Sequence, residues 1–150
     1  MGYYVRTIEC DIRIPKEKLG EGYRLACELN AREDLKTGGC WPGGHAKPAD
    51  SKSLAQSPDM WFSWMPWNYD EIAESLTDIL DMLGFHYEVE PNGDIVLQYF
   101  DQKKGAEEDF LNALAPVVTD GGMVVWLGED DNAWVDRFSG GLMTNDFVNW

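Results

Sequence analysis

The chain has 150 residues, 44% of them hydrophobic, with three cysteines and a formal net charge of −15. That length closes one ordinary core, so residues 1–150 are expected to form a single domain. No apolar run approaches the roughly 18 residues of a membrane span, three cysteines cannot all pair internally, and a surface this negative repels phosphate backbones; a membrane protein, a disulfide scaffold and a direct nucleic-acid binder are not expected.

The first residues, Met1-Gly2-Tyr3-Tyr4-Val5-Arg6, lack the basic start and apolar run of a signal peptide. Arg6 stands where an acylation signal on Gly2 requires Ser or Thr. With Cys10, Cys27 and Cys40 read as thiols, a cytoplasmic location is expected.

Tyr4, Ile8, Cys10, Ile12 and Ile14 share one parity, so residues 3–14 read as a half-buried strand, with Val5 and Arg6 out of pattern. Pro15 opens a helix to about Arg32 with Leu19, Tyr23, Ala26 and Cys27 on one face. Gly20 and Gly22 weaken its first turns. From Lys36 to Pro58 the chain is rich in Gly, Pro and Ser and has neither helical nor strand period. A structureless stretch of that length is uncommon inside a compact domain. It ends in Trp61-Phe62-Ser63-Trp64-Met65-Pro66-Trp67, and residues 36–67 read as an insertion.

A helix is expected next. Asn68 is placed to cap it, Glu71 completes an N-x-x-E arrangement, and Ile72, Leu76, Ile79, Leu80 and Leu83 form an apolar stripe ending at Gly84. Phe85, Tyr87 and Val89 then alternate with polar residues, and Pro91-Asn92-Gly93-Asp94 turns the chain into Ile95–Phe100 as a hairpin. Ala106–Ala115 reads as a helix with Glu107, Glu108 and Asp109 at its positive end and Pro116 after it. Met123–Leu127, Ala133–Phe138 and Leu142–Val148 read as an antiparallel meander. The expected fold is α+β in two layers: a ferredoxin-like β-α-β-β-α-β core with a long insertion and a C-terminal meander. One sheet face would then lie open, to be covered by the tryptophan segment or by a second copy of the chain.

Trp64-Met65-Pro66-Trp67-Asn68-Tyr69-Asp70-Glu71, Phe110-Leu111-x-Ala113-Leu114-Ala115-Pro116 and Gly128-Glu129-Asp130 followed by Trp134 resemble short proteins encoded by actinobacteria and their phages. No activity attaches to that group. The resemblance covers about the last 90 residues of the chain and implies a small accessory protein of a mobile element, carrying over no functional residue.

Chemical motifs are few. Cys40 and His45, with Cys27 and His86, are zinc-ligand types, but no Cys-x-x-Cys knuckle is present and no metal or cofactor is expected. Glu129-Asp130-Asp131-Asn132 lacks the spacing of a calcium loop and reads as a hairpin turn. Cys40, Trp41 and His45 define an alternative pocket for a small molecule or a small enzyme activity.

Charge is −1 over residues 1–35, +1 over 36–68 and −15 over 69–150, so the whole excess sits in the second half. Such a face either keeps an aromatic chain soluble or steers a basic protein partner. The leading expectation is a non-catalytic interaction protein, an inhibitor in its specific form, as monomer or homodimer. Partner contacts are expected at Trp61, Trp64 and Trp67 and along an acidic row of Glu74, Asp78 and Asp81.

Overall fold

The computed structural model describes residues 3–36, 61, 65–103 and 105–148. Seven strands and four helices occur among them: β1 (Tyr4–Ile14), α1 (Leu19–Leu29), α2 (Tyr69–Ile72), α3 (Leu76–Leu83), β2 (His86–Val89), β3 (Ile95–Tyr99), β4 (Asp101–Lys103), α4 (Glu107–Leu114), β5 (Met123–Gly128), β6 (Ala133–Ser139) and β7 (Leu142–Phe147). The strands form one antiparallel sheet in the order β2-β3-β1-β5-β6-β7, with β4 on the other end of β1 from β3. The fold is α+β. No helix among the described residues is long and apolar enough to cross a membrane.

The helices share a core with one face of the sheet. Ile12, Ile14, Ile95, Leu97, Val124 and Trp126 point into it, meeting Ala26 of α1, Leu76, Ile79, Leu80 and Leu83 of α3, and Phe110 and Leu114 of α4. The alternate residues Asp11, Arg13, Val96, Met123 and Val125 face the other way, as strand period requires. On that open face Arg13 pairs with Glu90 at 2.9 Å and Asp94 at 3.2 Å.

Val5 explains itself here. The β1–β5 register shifts between Thr7 and Glu9, so the extra residue reverses the inward parity: Val5 is buried on one side of the bulge and Ile12 and Ile14 on the other. Tyr4 and Ile8, expected inside, are 49% and 42% exposed. Beyond Phe100 the chain pairs again with β1 as β4, a strand that the sequence pattern does not announce.

The expected helix from Asn68 to Leu83 is two helices. Asn68 makes no side-chain cap, and α2 ends at Ala73, whose carbonyl accepts the Tyr23 hydroxyl at 2.5 Å. That bond takes a carbonyl out of the helical ladder. Ser75 restarts the helix: its Oγ accepts the Asp78 N–H at 3.4 Å, while Asp78 Oδ2 accepts the Glu74 N–H at 2.8 Å. Ile72, expected on the buried stripe, is 51% exposed because it belongs to the separate α2. Gly84, with φ of 98°, closes α3 in the left-handed conformation that glycine accepts without strain.

The first helix is also shorter than the pattern suggests. A 3-10 turn over Lys16–Lys18 precedes α1, and Asn30 caps the end. The C-terminal meander is present in full, with Trp126 and Trp134 as cross-strand partners on β5 and β6.

Candidate functional site

Asn30 ties the far end of the insertion to the helix layer. Its amide donates to the Trp67 carbonyl at 2.9 Å and to Asp70 Oδ1 at 2.8 Å, and its Oδ1 accepts the Trp61 indole N–H at 3.0 Å. Trp61 is fully buried and meets Phe110 edge-on at 5.3 Å, with Lys36 Nζ 5.9 Å from its ring centroid. Tyr69 is equally buried and donates its hydroxyl to the Ala26 carbonyl at 2.7 Å.

Trp61, expected as a partner contact, is therefore core: a side chain with no exposed surface offers nothing for a partner to touch. It also lies against α1 and α4, on the helix side, so it does not cover the open sheet face. Trp67 is half-buried beside Asn30. Trp64, Cys40, Trp41 and His45 lie outside the described residues.

The acidic row divides in the same way. Glu74 sits in the break before α3 rather than on the helix, and Asp78 is committed to the cap. Glu74 and Asp81 are exposed, as is Glu71 on α2. The three residues do not form one helical row, because the helix that would align them is interrupted at Ala73.

A cluster that the sequence reading did not single out lies between α4 and the meander. Asp136 on β6 is fully buried; its Oδ2 accepts the Trp126 indole N–H at 2.9 Å and its Oδ1 the Asn145 amide at 2.7 Å. Glu108 on α4 accepts the Trp134 indole N–H at 3.0 Å and the same Asn145 amide at 3.2 Å. Burial, followed by the hydrogen bond and charge of Glu108, pushes the Asp136 carboxyl up to about 7. The two carboxyls hold one proton between them more readily than none, since a negative charge on the buried Asp136 would be repelled by that of the partly buried Glu108.

Such a pair is the raw material of acid-base chemistry. Here Asp136 has no surface from which to pass a proton to a ligand, and both of its oxygens are engaged, so the arrangement fastens α4, β6 and β7 together. One signal was legible: Asp136 has the inward parity of Trp134 and Phe138, a position where an acid must find partners.

The two described cysteines, Cys10 and Cys27, are equally quiet. Burial pushes the Cys10 thiol up to about 12, and Cys27, packed at the core's margin, is raised for the same reason. Thiols held protonated in this way are poor nucleophiles. No group of three metal-ligating side chains occurs among the described residues. A groove of about 280 Å³ between α1 and α3, lined by Leu19, Tyr23, Leu76 and Ile95 among others, is mainly apolar.

Comparison with protein-family models, with curated proteins and with solved structures returns no match to this chain.

Proposed function

We propose that this chain is a non-catalytic interaction protein whose acidic second half binds a protein partner with a basic surface. The observation that carries this reading is the state of its carboxylates. Among the described residues, the exposed Glu71, Glu74, Asp81, Glu88, Asp101 and Asp146 have no cation within 4.0 Å. The ion pairs found between described residues use Arg13, Arg24, Arg32 and Lys36, all from the first quarter of the chain. Exposed carboxylates without counterions keep an attractive field for cations out to about a Debye length, roughly 8 Å at physiological ionic strength. That field favours encounter with a basic surface and weakens as salt rises.

The specific form of the proposal is an inhibitor encoded by a mobile element, its carboxylates occupying a partner's basic surface built for nucleic-acid phosphates. The resemblance of its motifs at residues 64–71, 110–116 and 128–130 to short proteins of actinobacteria and their phages is what supports that form. Capture of partners by the tagged chain from its host's lysate, washed at low and high salt, tests it. The triple variant Glu71→Gln, Glu74→Gln, Asp81→Asn leaves the Asp78 cap intact and should bind less, with a flatter salt dependence. Equal capture by variant and parent at every salt concentration would sink the acidic-face reading.

The finer architecture is inferred on similar terms. The order β2-β3-β1-β5, with α1 following β1 and α4 preceding β5, supports a ferredoxin-like split β-α-β-β-α-β core to which β6 and β7 are appended.

A further inference from the structure

The sheet has three outer strands among the described residues, β2, β4 and β7, and they differ in kind; β4 is only three residues long. β2 has four residues, a register shift between His86 and Tyr87, and Glu88 exposed along it. Short length, irregularity and charge are the usual guards of a sheet edge. β7 carries none of the length or register guards: its six residues pair with β6 in unbroken register from Ser139↔Leu142 to Trp134↔Phe147, without proline or lysine. Its Leu142 and Phe147 are 70% and 80% exposed, more than any other large apolar side chain described. An edge this regular and this apolar is a template for another strand.

We propose that the occupant is β7 of a second copy of this chain, paired antiparallel about Asn145 to continue the sheet across a two-fold axis. The hairpin geometry sets which backbone groups are available. Val148 N–H donates to the Ala133 carbonyl, so by strand alternation positions 142, 144 and 146 bond toward β6 and Met143, Asn145 and Phe147 direct their N–H and C=O outward. Outward groups must meet outward groups. Centring on Asn145 places it opposite the partner's Asn145, Phe147 opposite the partner's Met143, Thr144 opposite the partner's Asp146, and Leu142 opposite the partner's Val148. Apolar meets apolar at both ends, and no carboxylate faces another. A centre at Thr144 instead puts Leu142 against the partner's Asp146 and Phe147 against the partner's Gly141, losing both apolar pairs. One strand that matches itself in this way has the self-complementarity that a two-fold interface requires.

Net charge opposes the association, since each copy carries −15. Screening therefore strengthens it as salt rises, opposite in sign to the binding of a basic partner, so the two proposals fail independently.

Light scattering on the purified full chain at physiological and high salt tests the interface. The expected mass is twice the 17.0 kDa of one chain, with the larger dimer fraction at high salt. The variant Leu142→Lys, Phe147→Lys should return the single-chain mass. It lowers the net negative charge, so repulsion alone would make it associate more, and both positions are exposed, so its unfolding midpoint should match the parent's at protein concentrations low enough for the parent to be a single chain. A second variant, Thr144→Cys with Asp146→Cys, should form a reductant-sensitive covalent dimer under oxidising conditions, because these positions face each other as a close, non-hydrogen-bonded pair. A single-chain mass for the parent at both salt concentrations, or a dimer that survives the lysine substitutions, overturns the proposal.

Discussion

Replacing Asp136 by Asn should change how stability depends on pH, and the sign follows from burial. The Asp136 carboxyl is raised from an ordinary 3.8 to about 7, so between those values the folded chain holds a proton that the unfolded chain has released. Stability from this group is fully present below about pH 4 and is lost as pH rises through 7. At about 1.4 kcal/mol per tenfold change in proton affinity, the rise corresponds to roughly 4 kcal/mol as a ceiling. Glu108 is the charged group facing Asp136; Trp126 and Asn145, from β5 and β7, are neutral donors. The asparagine resembles the protonated acid toward Glu108 but has a single acceptor oxygen for two donors, a loss of about 1–3 kcal/mol for one unmade buried hydrogen bond. Denaturant midpoints of parent and variant, taken from pH 4 to 8, give the assay. The parent's advantage should be largest at acid pH and shrink toward pH 8. A difference that stays constant across this range would refute the shared proton.

Five further substitutions test the described packing. Ser75→Ala should cost about 1 kcal/mol through the α3 cap while Asn68→Ala costs little, a contrast read from thermal unfolding. Asn30→Ala removes the acceptor of the Trp61 indole and should cost about 1–3 kcal/mol, with a shift in tryptophan emission if Trp61 loosens. Gly20→Ala should add up to about 1 kcal/mol of helix propensity, since a Cβ there meets nothing within 4 Å. Gly22→Ala should gain nothing or lose, because its Cβ would stand 3.1 Å from Leu76 Cδ2 and 3.3 Å from Val117 Cγ2. If both substitutions stabilise equally, the close approach of α1 to α3 is wrong.

The elements with local signals were legible in the sequence. The Asn92-Gly93 turn, the meander strands β5 and β6, the two glycines between β6 and β7 and the charged first turn of α4 all rest on residues near one another in the chain, and they stand where the pattern puts them. The α+β class followed from their order. The charge split between the two halves is likewise a property of the sequence alone.

What only the tertiary structure decided were matters of distant partners. The helix at Tyr69 breaks because a hydroxyl 50 positions earlier, on Tyr23, takes the Ala73 carbonyl, and no helical period can register that competitor. Trp61 is core rather than contact because Asn30 and Phe110, far from it in sequence, supply its hydrogen bond and its packing surface. Asp136 holds its proton because the closed fold buries it and α4 brings Glu108, 28 positions upstream in the chain, against it. Periodicity reports which face of an element is apolar; which residue that face meets is set by the closure of the sheet against its helices, where long-range contacts decide between equally good local patterns.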